Sequence, residues 1–216
     1  YIEKDPEKNM GKLMDWVDKF AGDDEETNFH KQRAVVRDVI DHPESNWYQF
    51  VMRLFNETDN DVLKKIFTNF VLNAVLSGWK TQEAAREKYQ CNIPWAILMD
   101  PTSACNLHCT GCWAADYGHS LNLTYDDIDS IINQGVELGT HVYIYTGGEP
   151  MVRKKDLIRL CEAHPDCAFL CFTNATLIDE EFCQDVLRVK NFVPAISAEG
   201  SEETTDARRG TGTYQS

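Results

Sequence analysis

Cys105, Cys109 and Cys112 lie in the run CNLHCTGCW (105–113), at Cys-x3-Cys-x2-Cys spacing. Thiols this close together are soft ligands for zinc or iron, or partners in disulfide exchange. A closed zinc site takes four ligands, usually as two separated pairs, and no second pair stands at a convincing distance. His108 or His119 would have to serve as the fourth. Cys109 and Cys112 alone have the spacing of a redox dithiol, but that leaves Cys105 without a role, and no helix start marks the pair. An iron–sulfur cluster held by three thiolates keeps one iron open to a small molecule. Zinc, a dithiol and a three-thiolate cluster are the chemistries this spacing permits.

The elements that must position the loop are legible beyond residue 90. IPWAILM, HVYIYT, CAFLCFT and FVPAIS are short apolar runs of strand type, separated by amphipathic helical stretches around 125–138, 155–163 and 179–189. Thr124 and Asp127 form a capping-box pattern at the first of these helices, and Gly139 lies just past its end. Near-continuous apolar strands joined by helices imply a parallel sheet covered on both faces, or a (β/α) barrel. Ligands in such folds gather at the carboxyl ends of the strands. The unusual residues obey that rule. The cysteine loop follows the first strand, TGGEP closes the second, TNAT the third and SAEG the fourth.

Upstream, apolar residues recur at helical spacing. Leu13, Trp16, Val17 and Phe20 form one set, Val35, Val36, Val39 and Ile40 a second, and Trp47, Phe50, Val51, Leu54 and Phe55 a third. The fourth runs from Leu63 through Ile66, Phe67, Phe70, Val71 and Ala74 to Val75, with Thr58 and Asp61 resembling a capping box and Gly78 near its end. AGDDEETN and HPES read as loops. Residues 1–90 are thus expected to be a helical scaffold and 91–216 the first βα units of a partial barrel.

The cysteine loop after the first strand, followed by Gly-Gly-Glu-Pro after the second, resembles the radical S-adenosylmethionine superfamily. The resemblance covers roughly residues 93–216. It implies a 4Fe-4S cluster with Cys105, Cys109 and Cys112 on three irons and the amino and carboxylate groups of S-adenosylmethionine on the fourth. Reductive cleavage of that cofactor gives a 5'-deoxyadenosyl radical, which usually abstracts hydrogen from an organic substrate. Gly147 and Gly148 would permit close backbone approach, Glu149 would receive the methionine ammonium, and Pro150 would set the exit from the turn. Ser197 and Arg209 match a serine and an arginine twelve residues apart in the family and would bond the ribose or carboxylate of the cofactor, with Arg208 as a substitute. Glu199 stands where many relatives have aspartate. Asn174 in TNAT would contact the cofactor, although Ala175 replaces a common glycine. Asn106 suits a tight turn by satisfying its backbone groups. Gly111 departs from an aromatic residue common before the third cysteine, and Trp113 follows the loop. The family pattern continues into a helix and at least two further strands, so the chain reads as part of a longer enzyme.

Composition narrows the partners. A formal charge of −14 over 216 residues repels phosphate backbones, which argues against nucleic acid. The longest apolar runs, such as FVLNAVL, fall far short of the roughly 20 residues of a membrane span. Eight unevenly clustered cysteines without a signal segment fit a reducing cytoplasm. Cys91, Cys161, Cys167, Cys171 and Cys183 read as small buried apolar residues. The resemblance implies a reductant such as ferredoxin or flavodoxin and an unidentified organic substrate, with peptide or lipid modification among the options. Against it stands a zinc or dithiol module, for which the glutamate of TGGEP has no use.

Overall fold

Four apolar runs become the strands of one sheet because each can turn one row of side chains onto helices. In the computed structural model, which describes residues 6–21, 30–114 and 117–216, these are β1 (Ala96–Thr102), β2 (Val142–Gly147), β3 (Ala168–Thr173) and β4 (Phe192–Ile196). They are all parallel, in the order β1-β2-β3-β4. Helices α6 (Tyr125–Glu137), α7 (Lys154–Ala163) and α8 (Glu180–Val189) connect them, and α9 (Glu202–Arg209) follows β4. The Thr124/Asp127 capping box is formed in both directions.

Met99, Tyr143, Tyr145, Phe169, Cys171 and Phe192 pack against Ile128, Ile132, Leu157, Leu160 and Phe182 from the helices. Burying each large apolar side chain contributes about 1.5–3 kcal/mol. Leu98, Phe172 and Val193 alternate onto the opposite face and stay exposed. A parallel sheet with helices on one face and bare side chains on the other is the geometry of an open, incomplete barrel. Pro101 and Pro194 sit on the edge strands β1 and β4, where the missing N–H disrupts least, and the β1–β2 register shifts between Met99 and Thr102.

The chain divides into two compact units, Tyr1–Leu63 and Lys64–Ser216. The first contains α1 (Pro6–Ala21), α2 (His30–Asp41) and α3 (Asn46–Glu57), with Met10, Tyr48 and Met52 buried beside Val39, Ile40, Val51 and Phe55. Leu13, Trp16, Val17 and Phe20 fall within α1, but their side chains lie outside the described residues, as does the AGDDEETN loop beyond Ala21. The change in periodicity near residue 90 does not coincide with this division.

The helix after α3 departs from its sequence reading at both ends. Thr58 is the C-cap of α3, with its N–H donated to the Leu54 carbonyl, while Asp59 caps α4 (Asn60–Phe67) by accepting the N–H groups of Asp61 (2.9 Å) and Val62 (3.1 Å). Asp59 does this because its short carboxylate reaches both exposed donors of the first turn. Gly78 is not a terminus. The helix widens to π-type turns over Thr68–Gly78 and continues as α5 (Trp79–Tyr89), ending at Gln90 in the left-handed region. A Cβ on Gly78 would overlap the Gly139 carbonyl, so glycine is there to admit a neighbouring backbone.

Buried amides hold this helix to the amino ends of the strands. Asn69 Nδ2 donates to the carbonyls of Pro165 (2.9 Å) and Cys167 (2.7 Å), and Gln82 Nε2 to that of Gly139 (2.9 Å). Asn191 does the same for Cys161 (3.0 Å) and His164 (3.1 Å). Cys161, Cys167 and Cys171 are buried as expected, and burial pushes their thiols up, that of Cys167 to about 12. Cys91 and Cys183 are instead exposed, because each lies off the helix-covered face of the sheet. Among the described residues no helix is long and apolar enough to cross a membrane.

Candidate cluster and cofactor site

The carboxyl ends of the strands carry the residues singled out by type. Beyond β1, the Gly148 N–H donates to the Thr102 carbonyl (3.0 Å) and the Glu149 N–H to the Ala104 carbonyl (2.8 Å), which lays the start of the cysteine loop across the end of β2. Side chains on Gly147 or Gly148 would overlap Asp100 and the Ala104 carbonyl respectively. The close approach these glycines allow is therefore, first of all, to the cysteine loop itself. An open cleft of about 370 Å³ lies beside it, lined by Asp100, Ser103, Tyr117, Leu121, Gly147 and Gly148.

Within the loop the Leu107 N–H donates to Cys105 Sγ (3.4 Å) and the Cys112 N–H to the Cys109 carbonyl (3.2 Å). Gly111 adopts φ +71°, a conformation that an aromatic residue would hold only under strain. The Thr110 N–H reaches the Arg208 carbonyl (2.8 Å), and the Cys105 N–H faces His119 Nδ1 (3.4 Å). Burial pushes the Cys105 thiol up, the Leu107 N–H partly offsets this, and the Glu149 carboxylate adds to the upward push. Among the described residues no three Cys, His, Asp or Glu side chains converge at metal-holding spacing. The donor set nonetheless fits a cluster: three half-buried thiols on one loop, one already accepting the kind of N–H···S bond that supports cluster thiolates.

Glu149 is 2% exposed. Its Oε1 accepts the Met151 N–H (3.0 Å) and the Thr173 hydroxyl (2.7 Å), and its Oε2 accepts the Asn174 N–H (2.8 Å). A carboxylate offers about four acceptor positions, so these three bonds leave one on Oε2. No cationic side chain pairs with it among the described residues. Pro150 follows at the first position of the short turn Pro150–Arg153 and is buried. Arg153 ties that turn to β1 through the Pro101 carbonyl (2.9 Å) and to the segment before α6 through the Leu123 carbonyl.

At the end of β4 the half-buried Ser197 donates its N–H to the Thr173 carbonyl (2.9 Å). Arg209 places Nε (3.1 Å) and Nη2 (2.7 Å) on Glu199 Oε1, and Arg208 pairs with the same oxygen at 3.0 Å. The Arg209 hydrogen bond holds the Glu199 carboxyl below the usual range, against a smaller opposing effect of burial. Asn106 does not satisfy its own turn. Its amide reaches Asn174 and Thr176 at the end of β3, so the Asn174 side chain faces the cysteine loop. Thr173, Thr176 and Arg153 were not singled out by sequence. The two threonines bound the TNAT run, but only the fold shows what they hold.

A parallel βα sheet with a Cys-x3-Cys-x2-Cys loop and a buried glutamate meeting at its carboxyl end defines a class of cluster-dependent, cofactor-binding proteins. The sequence model of the Radical SAM superfamily matches residues 99–216, and the chain belongs to that family. Its members bind a 4Fe-4S cluster and S-adenosylmethionine. An uncharacterized protein of Archaeoglobus fulgidus is 30% identical over 136 residues, covering 62% of this chain and 32% of that protein. Fe-coproporphyrin III synthase of Methanosarcina barkeri is 30% identical over 118 residues, 53% of this chain and 29% of that enzyme. The aligned region thus spans about a third of these curated relatives. The fold is similar to that of Streptococcus suis SuiB, solved with bound S-adenosylmethionine, at a TM-score of 0.52 and 20% identity over 86% of this chain and 40% of that one.

Proposed function

We propose that residues 91–216 are the cluster- and cofactor-binding part of a radical S-adenosylmethionine enzyme acting on an organic substrate. The observation that carries this reading is Glu149, a buried carboxylate beside the cysteine loop with three neutral donors, a free acceptor position and no cationic partner among the described residues. Such a carboxylate is suited to an ammonium group, because burial strengthens its attraction for a cation. A zinc or dithiol module has no use for it.

Cys105, Cys109 and Cys112 hold the cluster, with the Leu107 N–H supporting the first thiolate. When bound, the cluster supplies the electron that splits S-adenosylmethionine into methionine and a 5'-deoxyadenosyl radical. Gly147 and Gly148 keep the cysteine loop against β2, Glu149 receives the cofactor ammonium, and Pro150 orients the following turn. Ser197 and Arg209 border the cofactor from β4, with Glu199 setting the direction of the guanidinium. Asn174 borders it from β3 and donates its backbone N–H to Glu149. The bare sheet face bearing Leu98 and Phe172 offers an apolar wall that keeps water from a radical.

In this reading the protein would work in the cytoplasm with a low-potential reductant such as ferredoxin or flavodoxin, and a cluster held by only Cys105, Cys109 and Cys112 would be sensitive to oxygen. Its relatives' names span tetrapyrroles and GTP, and SuiB was also solved with a precursor peptide, so the family name alone selects no substrate. Anaerobic reconstitution of the complete chain, followed by reduction with S-adenosylmethionine present, tests the reading. Release of 5'-deoxyadenosine is expected; iron loading without any cofactor cleavage would sink it.

A further inference from the structure

Asn106 follows the first cysteine, yet both ends of its amide are used about 70 residues away in the chain. Its Nδ2 donates to Thr176 Oγ1 (2.7 Å), and its Oδ1 accepts from Asn174 Nδ2 (2.9 Å). Asn174 Oδ1 in turn accepts the Thr176 hydroxyl (2.8 Å) and the Thr176 N–H (3.0 Å). The three side chains therefore close a ring in which every polar atom has a partner of the right sense. Between the two β3-end members, Ala175 is held at φ +66°, a left-handed conformation that costs a non-glycine residue about 1–2 kcal/mol. That conformation turns residues 174 and 176 toward the same loop.

Asn174 also has a second attachment. Its backbone N–H donates to Glu149 Oε2, the oxygen with acceptor capacity remaining. One residue thus touches the cysteine loop through its side chain and the Glu149 carboxylate through its backbone. We propose that Asn106, Asn174 and Thr176 form a latch that sets the position of the cysteine loop relative to Glu149, and that they act as positioning residues for S-adenosylmethionine binding. The proposal rests on the radical-enzyme reading above. None of the three side chains is charged, so the latch works by geometry rather than by changing the field at the cluster. A ligand held at two points binds well only when both are at the right separation.

Thr176 gives the cleanest test, because it lies outside the cysteine loop. In the complete chain, Thr176→Val removes the hydroxyl at nearly constant shape, Thr176→Ser keeps it, and Asn106→Ala removes the other side of the ring. In cluster-free protein, amide hydrogen exchange over residues 105–112 is expected to accelerate in Thr176→Val and Asn106→Ala and to stay as in the parent for Thr176→Ser. After anaerobic reconstitution, iron content of the Thr176 variants is expected to be unchanged. S-adenosylmethionine affinity is expected to fall about two- to tenfold in Thr176→Val, as for loss of one hydrogen bond, and to be restored in Thr176→Ser. The change that the cofactor causes in the electron paramagnetic resonance spectrum of the reduced cluster should weaken in parallel. The Asn106→Ala/Thr176→Val pair should be no worse than the weaker-binding single variant, since either one opens the ring. Parental affinity in Thr176→Val, or equal losses in Thr176→Val and Thr176→Ser, overturns the latch and leaves the radical-enzyme reading standing. Loss of iron from Thr176→Val would make the ring an assembly element and also overturn it. A parent protein that loads iron but binds no S-adenosylmethionine overturns the reading and the latch with it.

Discussion

The two ends of the sheet are both tied by buried polar side chains, but with opposite chemistry. At the amino ends, Asn69, Gln82 and Asn191 donate to backbone carbonyls, and Gly78 and Gly139 bring the backbones together. The oxygens of Gln82 and Asn191 accept no hydrogen bond there, but they belong to neutral amides, which attract a cation far less strongly than a carboxylate does. At the carboxyl ends the central group is an acceptor, Glu149, supplied with donors and with one position to spare. The first end closes the fold; the second keeps an electrostatic demand that a ligand can meet. Burial of a polar group thus marks function where the group is charged and incompletely used, and marks architecture where it serves only the backbone.

Substitutions at the two ends should separate stability from ligand binding. The largest effect is expected for Cys105→Ala, Cys109→Ala or Cys112→Ala, each of which should lose the cluster and all cofactor cleavage, read by iron content and visible absorption. Normal loading in all three would break the site assignment. Asn69→Ala takes the amide donor from the buried Cys167 carbonyl and the part-buried Pro165 carbonyl and should lower unfolding free energy by about 1–3 kcal/mol, with S-adenosylmethionine affinity unchanged in the protein that remains folded. Glu149→Gln should do the converse for binding. The cluster spectrum should persist while titration shows affinity weakened by roughly 1.5–3 kcal/mol, about tenfold to a hundredfold.

A smaller contrast comes from acid. Burial lowers the His141 pKa below 6.5, with the Asp166 backbone only partly offsetting it. The folded state therefore favours neutral imidazole, so this contribution is complete above the unfolded value and is lost as pH falls through about 6.5 toward the folded one. Thermal unfolding of His141→Leu should accordingly show a shallower loss of stability between neutral and mildly acidic pH than the parent; parallel curves would remove His141 from the account. The smallest effect is expected for Ala175→Gly, where release of left-handed strain of about 1–2 kcal/mol is reduced by the roughly 0.5–1 kcal/mol that glycine costs on folding. A net gain of about 0–1.5 kcal/mol should appear in denaturant unfolding.

The order of strands and helices beyond residue 90, the capping box at Thr124, the cysteine spacing and the Gly-Gly-Glu-Pro segment were all legible in the sequence. Each is written in a short window, either as a hydrophobic period or as ligand residues at set intervals. The extension of the helix past Gly78 was not, because that glycine resembles a stop signal until Gly139 is seen against it. Nor did any local pattern reveal that Asp59 rather than Thr58 caps the following helix, since neighbouring residues of both types can play that part. The partners of Asn106 lie 68 and 70 positions along the chain, and the Thr173 hydroxyl meets a carboxylate 24 positions earlier. Such pairings have no sequence period. They depend on strand register, where a slip of one residue sends every side chain to the opposite face, so only the assembled sheet decided which donors surround Glu149 and which amide reaches the cysteine loop.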